Sequence, residues 1–381
     1  MRKEMKKMKR LLALILALTM LLCGCGAKEE VSVQNGGEEA APAQTNAAEE
    51  ETNAAETTEA TTEPTTEPTT EPTEPPIYRN PLNGRIIDEP FTGRLHGHII
   101  SNMQDNLPHV GLVQADVVFE TYANMDNIVR CLALYSDIAS VEAIGSTRST
   151  RPIFNDIAQH YDLILSHAGG SNTAIGDAND RGIEHFNIEA WEVTKNVQTS
   201  YRDKEYKRSL ENSLFGIGSG IKEYAEFMEM PMELERDYGF RFTEDGTPAE
   251  GEDAGTITIT MAYRKAKKFT TMIYNAETDK YVWNQYNKVM TDQITGEEEG
   301  FTNVIIMYAN MSHKGIYHQA DFPAGGIGYY ANGGKIIPIV WACDDEDSAF
   351  RFMTNDAQDL LMGEGNTYIA IASPDSYVAY E

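Results

Sequence analysis

Apolar residues fall into three regimes along the 381-residue chain. Residues 11–22 form an almost unbroken apolar run behind a basic leader, and residues 26–76 contain no aromatic residue. From Tyr78 onward, short apolar runs recur between polar turns. Runs of four to eight apolar or alternating residues read as strands, and apolar positions three and four apart read as a helix face. Residues 115–122 (ADVVFETY) and 128–135 (IVRCLALY) are therefore predicted strands, with a hairpin over 123–127, and 143–144 is a short strand. Pro152 opens a helix to about residue 161, because its fixed φ and missing N–H suit the first helical position. A buried strand over 163–166, a helix over 172–180 and a later helix over 221–235 follow.

Residues 243–255 (TEDGTPAEGEDAG) are acidic and lack any apolar period, which marks a boundary or a large exposed loop. Beyond them the pattern predicts strands over 256–263, 270–274, 280–285, 303–308, 326–330, 335–341, 349–353 and 367–371. The expected architecture is an α/β or α+β first domain with a mixed sheet over 77–242, then a β-rich second domain, sandwich or barrel-like, over 256–381.

The first regime is a targeting signal. Arg2, Lys3, Lys6, Lys7, Lys9 and Arg10 precede an apolar core too short to span a bilayer, which needs about 20 residues. The core ends in Leu22-Cys23-Gly24-Cys25, with a Leu three places before Cys25 and a small residue just before it. That is the arrangement of a bacterial lipobox, so residues 1–25 are expected to be a signal peptide and Cys25 the lipidated residue. Residues 26–76 repeat Thr-Thr-Glu-Pro and cannot bury enough apolar surface to offset their chain entropy. They are expected to form a disordered Thr/Glu/Pro tether that, fully stretched, would reach on the order of 150 Å at about 3.1 Å per residue. The expected location is extracytoplasmic, on the outer face of the cytoplasmic membrane.

The net charge of −28 argues against nucleic-acid partners. With Cys23 removed and Cys25 acylated, Cys131 and Cys343 remain, each in an apolar run. They are two buried thiols or, in an oxidising compartment, a disulfide. Asp344-Asp345-Glu346-Asp347 lacks the spacing of a calcium loop, and His96-x-His98 lacks a third ligand, so no metal site and no cofactor is expected.

Gly145-Ser146-Thr147-Arg148-Ser149-Thr150-Arg151-Pro152 lies between a short strand and a helix start. A helix N-terminus offers free N–H groups, and arginine adds bidentate recognition of carboxylate or phosphate, so the loop is a candidate anion site built on Arg148, Ser149 and Arg151. The alternative is that Thr150 caps the helix and an arginine pairs with an acidic neighbour such as Glu120. Ser166-His167-Ala168-Gly169-Gly170-Ser171-Asn172 occupies a similar setting. Gly169 and Gly170 permit close approach of a ligand, His167 is a candidate general base, and Ser171 is a candidate nucleophile or a helix cap. Glu120 and Arg130 are charges inside apolar strands; they pair across the strands or line a cleft with Arg148 and His167.

Asn80-Pro81-Leu82-x-Gly84, Gln114-Ala115-Asp116-Val117-Val118-x-Glu120, Arg130, Ile144-Gly145-x-x-Arg148-Ser149-x-Arg151 and His167-Ala168-Gly169-Gly170-Ser171 together resemble the YerB-like lipoproteins of Gram-positive bacteria. Asn303-Val304, Gly326-x-Gly328-x-Tyr330, Asn332-Gly333-Gly334-Lys335 and Trp341 resemble their second half. The resemblance covers nearly everything after the tether and implies a lipid-anchored, two-part extracytoplasmic protein without agreed catalytic residues. Where the family tends to show Pro-His-Asn-Leu, this chain reads Leu210-Glu211-Asn212-Ser213. The expected function is a binding or accessory module for an anionic cell-envelope ligand or a membrane protein partner. The alternatives are a hydrolase or transferase acting on wall glycan or peptide, and a scaffold that binds protein through its β-rich domain.

Overall fold

A computed structural model describes residues 76–124, 128–204, 208–263 and 266–381. The leader, Cys25 and tether residues 26–75 lie outside the described residues.

The first half supplies β1 (His96–Ser101), β2 (Val117–Asn124), β3 (Ile128–Tyr135), β4 (Ile144–Gly145), α1 (Pro152–His160), β5 (Ile164–His167), α2 (Asn172–Arg181), β6 (His185–Asn187), β7 (Leu214–Gly216) and α3 (Gly218–Phe227). The second half supplies β8 (Thr256–Tyr263), β9 (Ala266–Asn275), β10 (Lys280–Gln285), β11 (Asn303–Tyr308), β12 (Gly326–Asn332), β13 (Lys335–Ala342), β14 (Thr367–Ala372) and β15 (Tyr377–Tyr380). The fold class is as expected: a mixed sheet with few helices, then a β-rich part.

One thirteen-stranded sheet crosses both halves, its central order being β13-β12-β11-β14-β2-β3-β1-β5-β6. β14, from the end of the chain, lies between β11 and β2 and runs parallel to both. A second sheet, antiparallel in the order β10-β9-β8-β15, covers one face. Strand alternation divides the side chains of β2 and β14 between two cores. Val118, Tyr122, Tyr368 and Ala370 pack with Ile257, Ile259, Met261, Met272 and Trp283 of the second sheet. Val117, Phe119, Ile369 and Ile371 pack on the other face with Ile153, Phe154 and Ile157 of α1 and with Phe350. Burial on both faces explains why these strands read as continuous apolar runs. Phe119 anchors the helical side, with ring centroids 5.6 Å from Tyr161 and 6.2 Å from Phe350.

Two expectations change here. The helix predicted over 221–235 is α3, and it ends at Phe227. Glu229 takes φ 53, and Pro231 disfavours a helical conformation for Met230, so the chain leaves the helix and bridges Gly93 through Glu233. The disulfide is also excluded: Cys131 and Cys343 are free and buried, in the cores on opposite faces of the large sheet. No helix among the described residues is long and apolar enough to cross a membrane.

Candidate functional site: an arginine-lined cavity

The segment between β4 and α1 is stitched into the sheet by its backbone. The N–H groups of Thr147, Arg148 and Thr150 donate to the carbonyls of Leu214 (2.8 Å), Ile99 (2.9 Å) and Gly169 (3.2 Å), and the Arg148 carbonyl accepts from Ala168 (3.0 Å). Those three N–H groups are therefore spent within the protein. His98 lies beneath, with Nδ1 2.7 Å from Ser166 Oγ and Nε2 2.9 Å from Thr147 Oγ1. Burial pushes its imidazole down to about 3, so it is a neutral strut. Thr150 does not cap α1; its hydroxyl donates to Asn155 Oδ1, and Arg151 occupies the N-cap position without a side-chain cap.

What the loop presents is guanidinium. Arg130 reaches up from β3, and with Arg148, Ser149, Arg151, Arg202, Glu189 and Glu211 it lines a cavity of about 230 Å³. Two of the four arginines are neutralised: Arg202 pairs with Glu189, and Arg148 Nη1 lies 3.2 Å from a Glu211 carboxylate oxygen. Arg148 is also held by the Glu211 carbonyl (2.6 Å), Asn106 Oδ1 (3.1 Å) and Asn212. Arg130 and Arg151 have no carboxylate partner among the described residues. Arg130 is 7 % exposed, donates to the Ser149 carbonyl, and keeps Nε without an acceptor. Burial first, then Arg151 and Arg148, pushes its guanidinium down to about 9. Arg151 donates to Asn124 Oδ1 (3.0 Å) and the Thr150 carbonyl (2.7 Å), and lies over the Tyr317 ring at 5.2 Å. Burial lowers Arg151 and Arg148 as well.

The predicted Glu120–Arg130 pair does not form. Thr121, not Glu120, lies opposite Arg130 in the β2–β3 register. The two charges thus leave opposite faces of the sheet, because one residue of register reverses the side-chain direction. Glu120 is fully buried beneath the second sheet, against Lys268, and is absent from the arginine cavity. His167 and Ser171 do not pair either. His167 Nε2 lies 3.0 Å from His185 Nδ1, and burial, then His185, pushes His167 down to about 3. The Ser171 hydroxyl accepts from the Ala174 N–H at the start of α2. Gly169 and Gly170 border the arginine loop through backbone contacts with Thr150. Sequence reading missed Asn106, Glu189, Arg202, Glu211 and Asn212, which no local pattern ties to Arg148.

The family model described as "Protein of unknown function (DUF3048) N-terminal domain" matches residues 87–229, and its C-terminal counterpart matches 257–369. "Putative lipoprotein YerB" of Bacillus subtilis (strain 168) is 23% identical over 274 residues, spanning 68% of this chain and 77% of that protein. The chain belongs to the YerB-like family. The crystal structure of YerB protein from Bacillus subtilis superposes with a TM-score of 0.66 at 20% identity, covering 79% of this chain and 99% of that one. At that identity the likeness concerns the fold. The two family models meet within the thirteen-stranded sheet, where β14 joins β2.

Proposed function

We propose that this chain is a lipid-anchored extracytoplasmic protein whose arginine cavity binds an anionic group of the cell envelope, a phosphate or a carboxylate. The observation that carries this reading is the convergence of Arg130 and Arg151, neither paired with a carboxylate, on one cavity whose other two arginines are already neutralised. Two like charges held together and partly desolvated are costly until an anion arrives. Planar guanidiniums suit a tetrahedral phosphate or a carboxylate better than ammonium groups would. The lipobox at Cys25 and the similarity to a protein named as a lipoprotein support the anchor.

Calorimetric titration with inorganic phosphate, glycerol phosphate oligomers and N-acetylmuramic acid tests the cavity. Saturable binding of at least one anion, lost in Arg151→Ala, is expected. Equal binding by wild type and variant, or none by either, would refute the reading. Incorporation of labelled palmitate by the wild type but not by Cys25→Ala tests the anchor.

A further inference from the structure

The polar side chains enclosed between the two sheets play no part in the arginine cavity. Glu120 on β2 is fully buried, and Lys268 on β9 is 6 % exposed. Lys268 Nζ lies 2.5 Å from Glu120 Oε1, and Asn102 Nδ2, one residue past β1, donates to the same oxygen over 2.5 Å. The amine and the amide nitrogen are therefore within twice that distance of each other. From the second sheet, Gln285 Nε2 donates to Asn102 Oδ1 over 2.5 Å, and the Tyr286 hydroxyl donates to the Asn102 carbonyl over 3.1 Å. The Tyr368 hydroxyl occupies the other Glu120 oxygen, and Nζ lies 5.7 Å from the Trp283 ring centre. An ion pair alone accounts for the lysine–glutamate contact. Lys268 Nζ also donates to Thr270 Oγ1 (2.7 Å), and the carboxylate oxygen it meets holds a primary amide whose own carbonyl is polarised by a second N–H donor. Nucleophile, proton carrier, electrophilic carbon and oxyanion donor are all present.

We propose that Lys268 and Asn102 join in an intramolecular amide bond, with Glu120 as the proton carrier. Glu120 takes a proton from the Lys268 ammonium, and the freed electron pair on Nζ attacks Asn102 Cγ. The carbonyl electron pair moves onto Oδ1, where the Gln285 N–H stabilises the oxyanion. The tetrahedral centre collapses as protons pass through Glu120 to Nδ2. The Cγ–Nδ2 bond breaks and nitrogen leaves as ammonium. One C–N bond forms and one breaks, nothing is oxidised or reduced, and no co-reactant is needed. Fixed proximity replaces a bimolecular encounter, and the dry space between the sheets keeps water from the product. The three residues are remote in sequence, so the reaction waits for folding, and its product bolts the large sheet to the second one.

The test is a tryptic digest of the purified full-length protein, denatured and analysed by mass spectrometry. The expected result is a branched peptide joining the Asn102 segment to the Lys268 segment, lighter by one ammonia than the two linear peptides together, with cleavage after Lys268 blocked. It should be missing from Lys268→Arg and from Glu120→Gln. Wild-type protein that yields the two linear peptides, with cleavage after Lys268 and an intact Asn102, overturns the proposal whether or not either variant folds. A branched peptide persisting in Glu120→Gln overturns the role given to Glu120.

Discussion

Replacing Arg130 with methionine should make the ligand-free protein more stable and abolish its response to anions. Burial, then Arg151 and Arg148, lowers the Arg130 guanidinium far below its ordinary value, to about 9. At about 1.4 kcal/mol per pKa unit, holding that charge in place costs at most about 5 kcal/mol. Because the folded value lies below the unfolded one, the cost is fully present at pH 7 and is relieved only as pH rises above about 9, toward the ordinary arginine value. Methionine removes the charge and keeps an apolar stem on the helical face beside Leu132. It also forfeits the bond to the Ser149 carbonyl, worth roughly 1.5–3 kcal/mol for a charged donor. The balance is a gain of at most roughly 2–3.5 kcal/mol, in line with other replacements of buried charge clusters by apolar side chains. The assay is urea denaturation at pH 7 with and without inorganic phosphate. Phosphate at ten times its Kd should stabilise the wild type by about 1.4 kcal/mol through mass action and leave Arg130→Met unmoved. A variant less stable than the wild type by more than about 1 kcal/mol, or one still stabilised by phosphate, refutes the argument that Arg130 is strained for binding.

Acid should weaken the fold through its buried histidines. Burial pushes His96, His98 and His167 each from 6.5 to about 3, so the unfolded chain takes up protons that the fold refuses. This contribution is whole above pH 6.5 and is lost as pH falls toward 3, about 2 kcal/mol per histidine by pH 5; identical urea midpoints at pH 7 and 5 would contradict it. Ser171→Ala should cost about 1 kcal/mol by uncapping α2 and leave anion affinity unchanged; a collapse of affinity in calorimetry would restore a direct role for the hydroxyl. Asn303→Ala should cost about 3 kcal/mol, because Asn303 accepts from the Tyr330 hydroxyl (2.9 Å), Asn332 Nδ2 (3.1 Å) and the Gly363 N–H (3.0 Å) and donates to the Gly363 carbonyl (2.8 Å). A urea-derived loss below about 1 kcal/mol would mean that these buried groups find other partners.

Local pattern was enough to place most elements. The strands predicted over 128–135, 256–263, 280–285 and 303–308 have those bounds in the structure, and Pro152 is the first residue of α1. These are features of single segments: an apolar run, an alternation, a ring that fixes φ. The arginine loop was legible for the same reason, since Arg148, Ser149 and Arg151 lie together in sequence and line one cavity with Arg130. Lys268 could have been found by alternation: in β9 it shares a strand face with Thr270 and Met272, both fully buried, while Lys267 and Phe269 point outward.

Tertiary structure alone decided which charges meet. Glu120 and Arg130 each suit a buried strand, and only the β2–β3 register, set by packing on both faces, sends one beneath the second sheet and the other into the cavity. Likewise, no local signal marks the insertion of β14 between β11 and β2, because parallel pairing over some 250 residues leaves no turn to read. The sequence by itself determined the elements and the chemistry each could bear. The fold determined the faces, and through them which carboxylate neutralises which base, because side-chain direction in a sheet depends on partners that the local sequence does not name.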